Sequence, residues 1–243
     1  MAKLNEASVL LNWDADGTRK YQTGVDRGTL YLWDDTLNSN AGGYGDAIPW
    51  SGLTAVNENP SGAEATALYA DNIKYLNLIS AENFAATIEA YDYPAEFEAC
   101  DGSATIISGV TVGQQTRKKF AFAYRTKVGS DTDGSLGYKI HIIYGCTAAT
   151  SARNYQTVNE SPEAITFSWE VSTAPITYTD STSGKTYTFA HVEFDSTASG
   201  MTQAKWTALE QMLWGTKGTG SSSSNTPGSC VFSSIMAAMN SAS

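Results

Sequence analysis

Apolar and polar residues alternate along much of this chain, and this period of two limits its fold more than any other feature of the sequence. In residues 120–127 the alternation places Phe120, Phe122 and Tyr124 on one face, which is typical of a half-buried β-strand. The same pattern, or a short apolar run bounded by turn residues, predicts strands at 21–33, 48–57, 67–79, 84–91, 120–127, 138–144, 165–171 and 186–194.

Turn-forming residues separate these predicted strands. Asp-Thr-Asp-Gly at 131–134, Ser-Pro at 161–162 and Asp-Ser-Thr-Ser-Gly at 180–184 contain residues that bond their own backbone or accept a positive φ. Hairpins are the expected result. Many short strands joined in this way predict a mainly β protein, built as an antiparallel β-sandwich or a partly closed barrel.

Two segments carry helix signals instead. Residues 94–100 begin with Pro94, which suits a first helical turn, and place acidic side chains near the positive end of the helix. Residues 202–214 are amphipathic and are followed by Gly215, a residue suited to a helix C-terminus. The predicted sandwich or barrel is therefore flanked by one or two short helices. The apolar stripe of the second helix consists of Trp206, Leu209 and Leu213.

These patterns divide the chain into three parts. Residues 1–20 form an N-terminal arm, residues 21–215 a β domain, and residues 216–243 a Gly/Ser-rich linker with a short C-terminal segment. The β domain contains a loop at 34–47 that is long for a hairpin connection, and such loops are usually functional or disordered. Apolar residues concentrate at 230–239, so this segment needs burial, on its own chain or on a neighbour.

Composition excludes several classes of function. The chain has 25 acidic and 15 basic side chains and a formal charge of −10, so it should repel a DNA backbone rather than bind nucleic acid generally. Its three cysteines lack CxxC spacing, which favours reduced thiols in a cytosolic setting. No secretory signal pattern or apolar run of membrane-spanning length is present, and we expect a soluble product with no membrane partner.

Motifs for catalysis or metal binding are weak. His191 and Glu193 fall on one face of a predicted strand and could form half of a metal site, but no HExxH or CxxC pattern accompanies them. We interpret them, and the only other histidine, His141, as hydrogen-bonded residues of a sheet. The sequence has no GxSxG elbow and no phosphate-binding loop. It predicts no catalytic residue, no metal site, no cofactor and no enzyme.

One cluster of residues is basic, although the chain as a whole has a negative formal charge. Residues 117–119, Arg-Lys-Lys, are followed by Arg125 and Lys127, and these residues alternate with aromatic ones as in an oligonucleotide-binding strand. Clusters of this kind are more often solvated strand faces or salt-bridge partners of acidic neighbours. We favour either of these two interpretations over nucleic-acid binding.

A succession of motifs gives the chain a specific resemblance. They include Ile-Pro-Trp-Ser-Gly-Leu-Thr at 48–54, Leu-Tyr-Ala-Asp-Asn-Ile-Lys-Tyr at 68–75, Thr-Ile-Glu-Ala-Tyr-Asp-Tyr-Pro-Ala-Glu-Phe at 87–97, Leu-Gly-Tyr-Lys-Ile-His-Ile-Ile-Tyr-Gly-Cys at 136–146 and Glu-Ser-Pro-Glu-Ala-Ile-Thr-Phe-Ser-Trp-Glu at 160–170. From about residue 25 to residue 216, the chain resembles the major tail tube proteins of long-tailed bacteriophages.

This resemblance implies a structural role. Subunits of such a protein would join in hexameric rings that stack into a hollow tube for DNA ejection, and DNA would pass the lumen without specific binding. The protein would act in the virion tail after assembly in the bacterial host cytoplasm. Its partners would be other copies of itself, the tape measure protein, the tail terminator and the baseplate or initiator proteins.

Two groups of residues become candidates for function on this interpretation. The loop at 34–47 is expected to reach the adjacent ring, and acids on strands are expected to face the lumen. The candidate loop contacts are Asp34, Asp35, Asn38, Gly42 and Tyr44, and the candidate lumen acids are Glu89, Glu170 and Glu193.

Two alternatives stay open. A carbohydrate-binding β-sandwich could stack sugars on exposed rings such as Trp33 or Trp50. Another tail component of the same fold, such as a terminator, is the closer alternative. Formation of rings or filaments would separate a tube subunit from a small, discrete lectin.

Overall fold

The structure is a computed structural model, and it describes residues 19–153, 155, 157, 164–218 and 224–242. Most of the predicted N-terminal arm, the predicted turn at 161–162 and part of the Gly/Ser-rich linker therefore lie outside the described residues. The strands are β1 (Lys20–Asp34), β2 (Gly43–Tyr44), β3 (Ile48–Trp50), β4 (Leu53–Glu58), β5 (Ser61–Gly62), β6 (Ala65–Ala70), β7 (Ile73–Ile79), β8 (Glu82–Asn83), β9 (Ala85–Ala90), β10 (Ala104–Ile107), β11 (Val110–Val112), β12 (Phe120–Ser130), β13 (Gly137–Ala148), β14 (Phe167–Ser172), β15 (Ile176–Thr179), β16 (Thr186–Phe189) and β17 (His191–Asp195). The helices are α1 (Leu37–Asn40), α2 (Glu98–Asp101), α3 (Gln203–Trp214) and α4 (Phe232–Ser241), with a 3₁₀ turn at Ala95–Phe97 before α2.

Three long strands and the shorter β17 form the antiparallel main sheet, in the order β1, β12, β13, β17, and short strands β2 and β3 pair along β1. The alternation predicted for residues 120–127 is present in β12. Phe120, Phe122 and Tyr124 lie on one face of the sheet, and Ala121 and Ala123 lie on the other. Both faces of this strand are buried, because a second layer covers each of them.

A smaller antiparallel sheet, in the order β14, β9, β4, covers the first face. Strand β13 belongs to both sheets, since its last residues pair with β14. Gly145 allows β13 to pass from the main sheet to the small sheet. Its φ is +62°, and a β-carbon there would lie 2.1 Å from the carbonyl oxygen of Ala174. The register of β12 and β13 also shifts at this point, as a β-bulge requires. The two sheets enclose a core around Trp50, Phe97 and Trp169.

Helices α3 and α4 cover the second face of the main sheet. Trp206, Leu209 and Leu213 are buried there, as the amphipathic pattern predicts, and Thr202 caps α3 by accepting a hydrogen bond from the Lys205 amide. Helix α4 buries Ile235 and Met239 in the same core. The apolar C-terminal segment is thus buried on its own chain.

The predicted fold class is confirmed: the chain is an antiparallel β-sandwich flanked by short helices. Three predicted strands are nevertheless divided. Residues 48–57 divide between β3, which pairs with β1, and β4, which pairs with β9, and Gly52 lies between them with a φ of +84°. Residues 67–79 form the hairpin of β6 and β7, because Asp71 and Asn72 take φ values of 51° and 62° and reverse the chain. Residues 186–194 divide between β16, which pairs with β15, and β17, which pairs with β13. No helix among the described residues has the length and apolar character needed to cross a membrane.

Candidate assembly surfaces

A two-stranded ribbon extends the small sheet beyond the sandwich. Strands β4 and β9 pair up to Glu58 and Ala86, and the same two chain segments continue to pair as β5 with β8 and as β6 with β7. We call residues 59–83 the ribbon. Within the described part of the chain, β6 and β7 pair only with each other. The ribbon is therefore held to the molecule at its base alone.

The ribbon is apolar and exposed along its length. Of its residues only Ala67 is half-buried, and all the others are exposed. Tyr69 is 73% exposed and Tyr75 70%, and between β6 and β7 the only charged residues from 65 to 79 are Asp71 and Lys74. Large exposed apolar patches are uncommon on monomeric proteins and mark interaction sites. The seven large side chains exposed here are Leu68, Tyr69, Ile73, Tyr75, Leu76, Leu78 and Ile79.

The register of the hairpin sorts these side chains by face. Leu68 lies opposite Leu76, Thr66 opposite Leu78, and Ala70 opposite Ile73. Residues directly opposite one another share a face, as do residues two apart on one strand. The register shifts between Leu68 and Tyr69, as at a β-bulge, and this shift brings Ile73 onto the face of Leu68 and Leu76. This face, which we call the Leu/Ile face, carries Leu68, Ile73, Leu76 and Leu78.

A second, shorter hairpin also exposes apolar side chains. Strands β10 and β11 pair only with each other among the described strands, and Ile106, Ile107 and Val110 are exposed on them. This hairpin follows directly on α2, which ends at Gly102 with a φ of +84°. The surface of the molecule thus presents two separate apolar projections.

The five loop residues predicted to contact an adjacent ring lie near one another, in a loop that folds back on its own chain. Asp34 accepts hydrogen bonds from the amide and hydroxyl of Thr36, which lower the pKa of its carboxyl group. Asp35 accepts one from the indole of Trp33 at 2.7 Å, and Asn38 donates one to the carbonyl of Gly42 at 2.9 Å. The loop is therefore a compact turn and not an extended arm.

Tyr44 anchors the end of this loop. Its hydroxyl accepts a hydrogen bond from the Gly145 amide at 2.9 Å, and its ring packs against Trp33 and Tyr144. Burial raises the pKa of Tyr44. Gly42 has a φ of +81° and lies against the Trp33 ring, where a β-carbon would approach to 2.4 Å. Tyr44 and Gly42 are half-buried against other residues of the chain. Asp35 and Asn38 also form hydrogen bonds within the loop, but their side chains are exposed.

The three acids predicted to face a lumen do not share one surface. Glu89 lies opposite Ser168 on the outer face of the small sheet, and Glu170 lies opposite Thr87 on the same face. Asn57 completes this polar surface from β4. Among the described residues of β4, β9 and β14, no lysine or arginine occurs, so the face carries negative charge only. Glu193 lies elsewhere, on the main sheet, where it forms an ion pair with Lys139 at 2.8 Å.

A polar cluster lies where the open edges of the two sheets meet. His141 and His191 approach with Nδ1 and Nε2 3.3 Å apart, and Glu58 reaches them from the end of β4. Tyr124 donates a hydrogen bond to the same Glu58 carboxylate and stacks on His141. Burial lowers the pKa of His141 and raises that of Tyr124.

The sequence indicated only part of this cluster. The spacing of His191 and Glu193 places them on one face of β17, as expected. His141 joins them because β13 pairs with β17 and His141 lies directly opposite Glu193. Glu58 joins them because the small sheet packs over the main sheet, which no local pattern reveals. The two histidines are hydrogen-bonded residues of a sheet, as interpreted from the sequence, but the sequence did not reveal that they belong to a group of ligand-type side chains.

Two arginines of the basic cluster have partners within the chain, whereas Lys118 and Lys119 are exposed. Arg125 is buried and binds both carboxylate oxygens of Asp26, at 2.8 and 2.7 Å, and this hydrogen bonding raises its pKa. Arg117 donates hydrogen bonds to the Thr150 hydroxyl and to the Asp101 carbonyl. Salt-bridge partnership, one of the two favoured interpretations, therefore holds for Arg125.

The aromatic rings considered for sugar stacking are not free platforms. Trp50 is only 3% exposed, its indole donates to the Asp92 carbonyl, and its ring packs on Phe97, so it lacks the exposure that the carbohydrate-binding alternative requires. Trp33 is half-buried and packed edge-on against Tyr44. The residues named for carbohydrate binding therefore give that alternative no support.

Comparison with known proteins gives structural likenesses only. No protein-family model matches the chain, and no curated protein does. Among solved structures, the chain is similar to a subunit of the SPP1 tail tube, with 12% identity, a TM-score of 0.35, and coverage of 60% of this chain and 72% of the other. It is also similar to a chain of the PVC sheath-tube complex of an extracellular contractile injection system, with 10% identity, a TM-score of 0.30, and coverage of 70% and 88%. Because both TM-scores are below 0.5, the function has to be argued from the surfaces described above.

Proposed function

We propose that this protein is the structural subunit of a phage tail tube, which polymerises as stacked, hexameric rings into a hollow channel for DNA ejection. The observation that carries the proposal is the exposed apolar ribbon. A monomer gains nothing from presenting seven large apolar side chains to water, whereas a polymer buries them against the next subunit. The motifs from 48 to 216 that resemble tail tube proteins agree with this role.

Ring closure can use the open strand edges. In the described chain β4 pairs only with β9, and β17 pairs only with β13, so each presents one edge of unpaired backbone groups. An exposed edge invites pairing with another strand. A heterologous contact between such edges, repeated around a closing rotation, generates a ring with a continuous sheet. Neither edge belongs to the ribbon, so ring formation and ring stacking can use separate surfaces.

The outer face of the small sheet is the best candidate for the lumen. Glu89 and Glu170 lie on it among Asn, Ser and Thr side chains, and a negative surface without cations does not retain phosphates. We propose these two acids as lumen-facing. Glu193 is a weaker candidate, because Lys139 neutralises it.

Ring stacking is assigned to the ribbon, with the loop at 34–47 as a second contact. The ribbon supplies apolar area, and the exposed Asp35 and Asn38 supply polar contacts at the surface of the loop. In the assembled virion tail, the tape measure protein, the tail terminator and the baseplate or initiator proteins would be the further partners. The bacterial host cytoplasm would be the place of assembly.

The decisive experiment compares the full chain with a variant that lacks the ribbon. Ser61 and Asn83 lie directly opposite each other, so replacing residues 62–82 with Asn-Gly closes a shortened hairpin with a favoured two-residue turn. Purified proteins at rising concentration are examined by negative-stain electron microscopy, and their masses in solution are measured. Initiator proteins are added in a parallel series.

We expect hollow filaments from the full chain and none from the shortened variant. The variant should still fold, because the ribbon lies outside both cores. A matched control replaces Tyr187, an exposed residue of β16, with Ser. A full chain that stays monomeric at every concentration, with and without initiator, would refute the proposed function. Normal filaments from the shortened variant would refute the role of the ribbon.

A further inference from the structure

Three side chains at the open edge of the sandwich hold their ligand atoms in a nearly equilateral triangle. His141 Nδ1 and His191 Nε2 are 3.3 Å apart, His191 Nε2 and Glu58 Oε1 are 3.3 Å apart, and His141 Nδ1 and Glu58 Oε1 are 3.6 Å apart. A tetrahedral zinc ion with ligand bonds of about 2.0–2.1 Å needs neighbouring ligand atoms to be separated by about 3.3–3.4 Å. The triangle therefore has the size of one face of a zinc tetrahedron.

A fourth ligand atom lies beside this triangle. Glu193 Oε2 is 3.8 Å from His141 Nδ1, and its other oxygen is held by Lys139 at 2.8 Å. The set of two imidazoles and one or two carboxylates suits zinc and similar divalent transition ions. It does not suit calcium or magnesium, which prefer oxygen ligands alone.

The residues around the triangle hold the ligands in place. His141 Nε2 is 3.1 Å from the Thr126 hydroxyl, which leaves Nδ1 to face the other ligands. His141 is also stacked on Tyr124, and His191 on Phe84. Hydrogen-bonded and packed partners of this kind orient the ligands of metal sites.

We propose that Glu58, His141 and His191 bind a divalent transition-metal ion of the zinc class, with Glu193 as a further ligand. The three ligands come from β4, β13 and β17, so the ion would link the small sheet to the main sheet beside β17, which pairs only with β13 among the described strands. Glu58 is also the last residue of β4 before the ribbon. The ion would thus fix the base of the ribbon. The inference stands on these distances and does not depend on the proposed function.

The test measures Zn²⁺ binding by the full chain carrying no histidine tag. The sequence contains only two histidines, both in the proposed site, and its three cysteines are buried in the described structure. Equilibrium dialysis gives the stoichiometry, and titration with Co²⁺ gives an absorption spectrum that reports the ligand types. Thermal unfolding with and without Zn²⁺ gives the stabilisation.

We expect one equivalent of Zn²⁺, a higher Tm in its presence, and a tetrahedral Co²⁺ spectrum without a thiolate charge-transfer band. His191→Gln and Glu58→Gln should each weaken binding by about 100-fold or more. Glu58→Gln keeps an oxygen to accept the Tyr124 hydrogen bond, so folding should survive, which circular dichroism checks. The matched control, Glu89→Gln on the outer face of the neighbouring strand β9, should bind as the unaltered chain does.

Three results would overturn the proposal. The first is no Zn²⁺ bound by the folded, unaltered chain. The second is equal binding by His191→Gln, Glu58→Gln and Glu89→Gln, which would indicate adventitious surface binding. The third is a Co²⁺ spectrum with thiolate ligands, which would place the ion at a cysteine.

Discussion

Removing apolar side chains from the Leu/Ile face of the ribbon should weaken assembly without weakening the fold. The change is the double substitution Ile73→Thr and Leu78→Thr, which keeps residues compatible with a strand. Ile73 is 65% exposed and Leu78 61% exposed in the single subunit. Since fully burying such a side chain contributes about 1.5–3 kcal/mol, burying the exposed two-thirds in a contact contributes about 1–2 kcal/mol for each.

The expected effect on polymerisation follows from adding the contributions of the two side chains. Threonine keeps one methyl group, so the double variant loses about 2–3 kcal/mol for each ribbon contact. At 1.4 kcal/mol for each tenfold change, the critical concentration for polymerisation should rise by about 30-fold to 150-fold. The free energy of unfolding of the single subunit should change by less than about 0.5 kcal/mol, because both side chains lie outside the cores.

Sedimentation of filaments over a concentration series measures the critical concentration, and urea unfolding of unassembled subunits measures stability. The matched control is Asn77→Thr, on the same strand but on the other face of the hairpin, which removes no apolar area. An unchanged critical concentration in the double variant would refute the argument. So would a loss of subunit stability large enough to account for the assembly defect.

Three further predictions concern the subunit itself. Tyr44→Phe should destabilise the fold by about 1–2 kcal/mol in urea unfolding, because the Gly145 amide loses its acceptor; no loss would show that this hydrogen bond contributes nothing. Gly145→Ala should cost more than Tyr44→Phe in the same assay, because its β-carbon would meet the Ala174 carbonyl at a positive φ; an equal or smaller cost would contradict the account of the bulge. Stability should also fall as pH rises above 9, the ordinary pKa of the thiols. Burial raises the pKa of Cys100 to about 12 and also raises the pKa values of Cys146 and Cys230. Between pH 9 and these raised values only the unfolded chain loses the thiol protons. The free energy of unfolding should therefore fall by about 1.4 kcal/mol per pH unit for each thiol. Urea unfolding at successive pH values should show a smaller slope for Cys100→Ala, and an equal slope would contradict the assignment.

The local patterns that predicted the fold are those in which one strand or helix faces one core. Phe120, Phe122 and Tyr124 in β12 and the Trp206 stripe in α3 follow this rule, and both elements were predicted within a few residues. The alternation of residues 67–79 predicted strand structure correctly but missed the reversal at Asp71 and Asn72. Both residue types tolerate a positive φ, so the signal for a turn was present but weaker than the surrounding apolar pattern.

The periodicity of the sequence does not distinguish an apolar residue that is buried from one that stays exposed in the single subunit. Leu76 and Leu78 have the same character as Phe120 and Phe122, yet they are exposed, because no second layer of the described chain covers the ribbon. Burial depends on which elements pack together, and that is decided by tertiary structure. The polar cluster shows the same limit: Glu58 and His141 belong to one group only after two sheets are stacked.

In the proposed tube, the separation of the ribbon from both cores would allow one chain to fold alone and also to polymerise. Trp169, Ile88 and Phe122 hold the sandwich together between its two sheets, and none of them belongs to the ribbon. On the proposed function, the apolar residues of the ribbon would contribute to contacts between subunits and hardly at all to folding. Glu58 lies at the boundary between these two parts, as the last residue of β4 and a member of the polar cluster. A metal ion bound there would restrict the direction in which the ribbon leaves the sandwich, and its effect on assembly would be one of orientation and not of contact area.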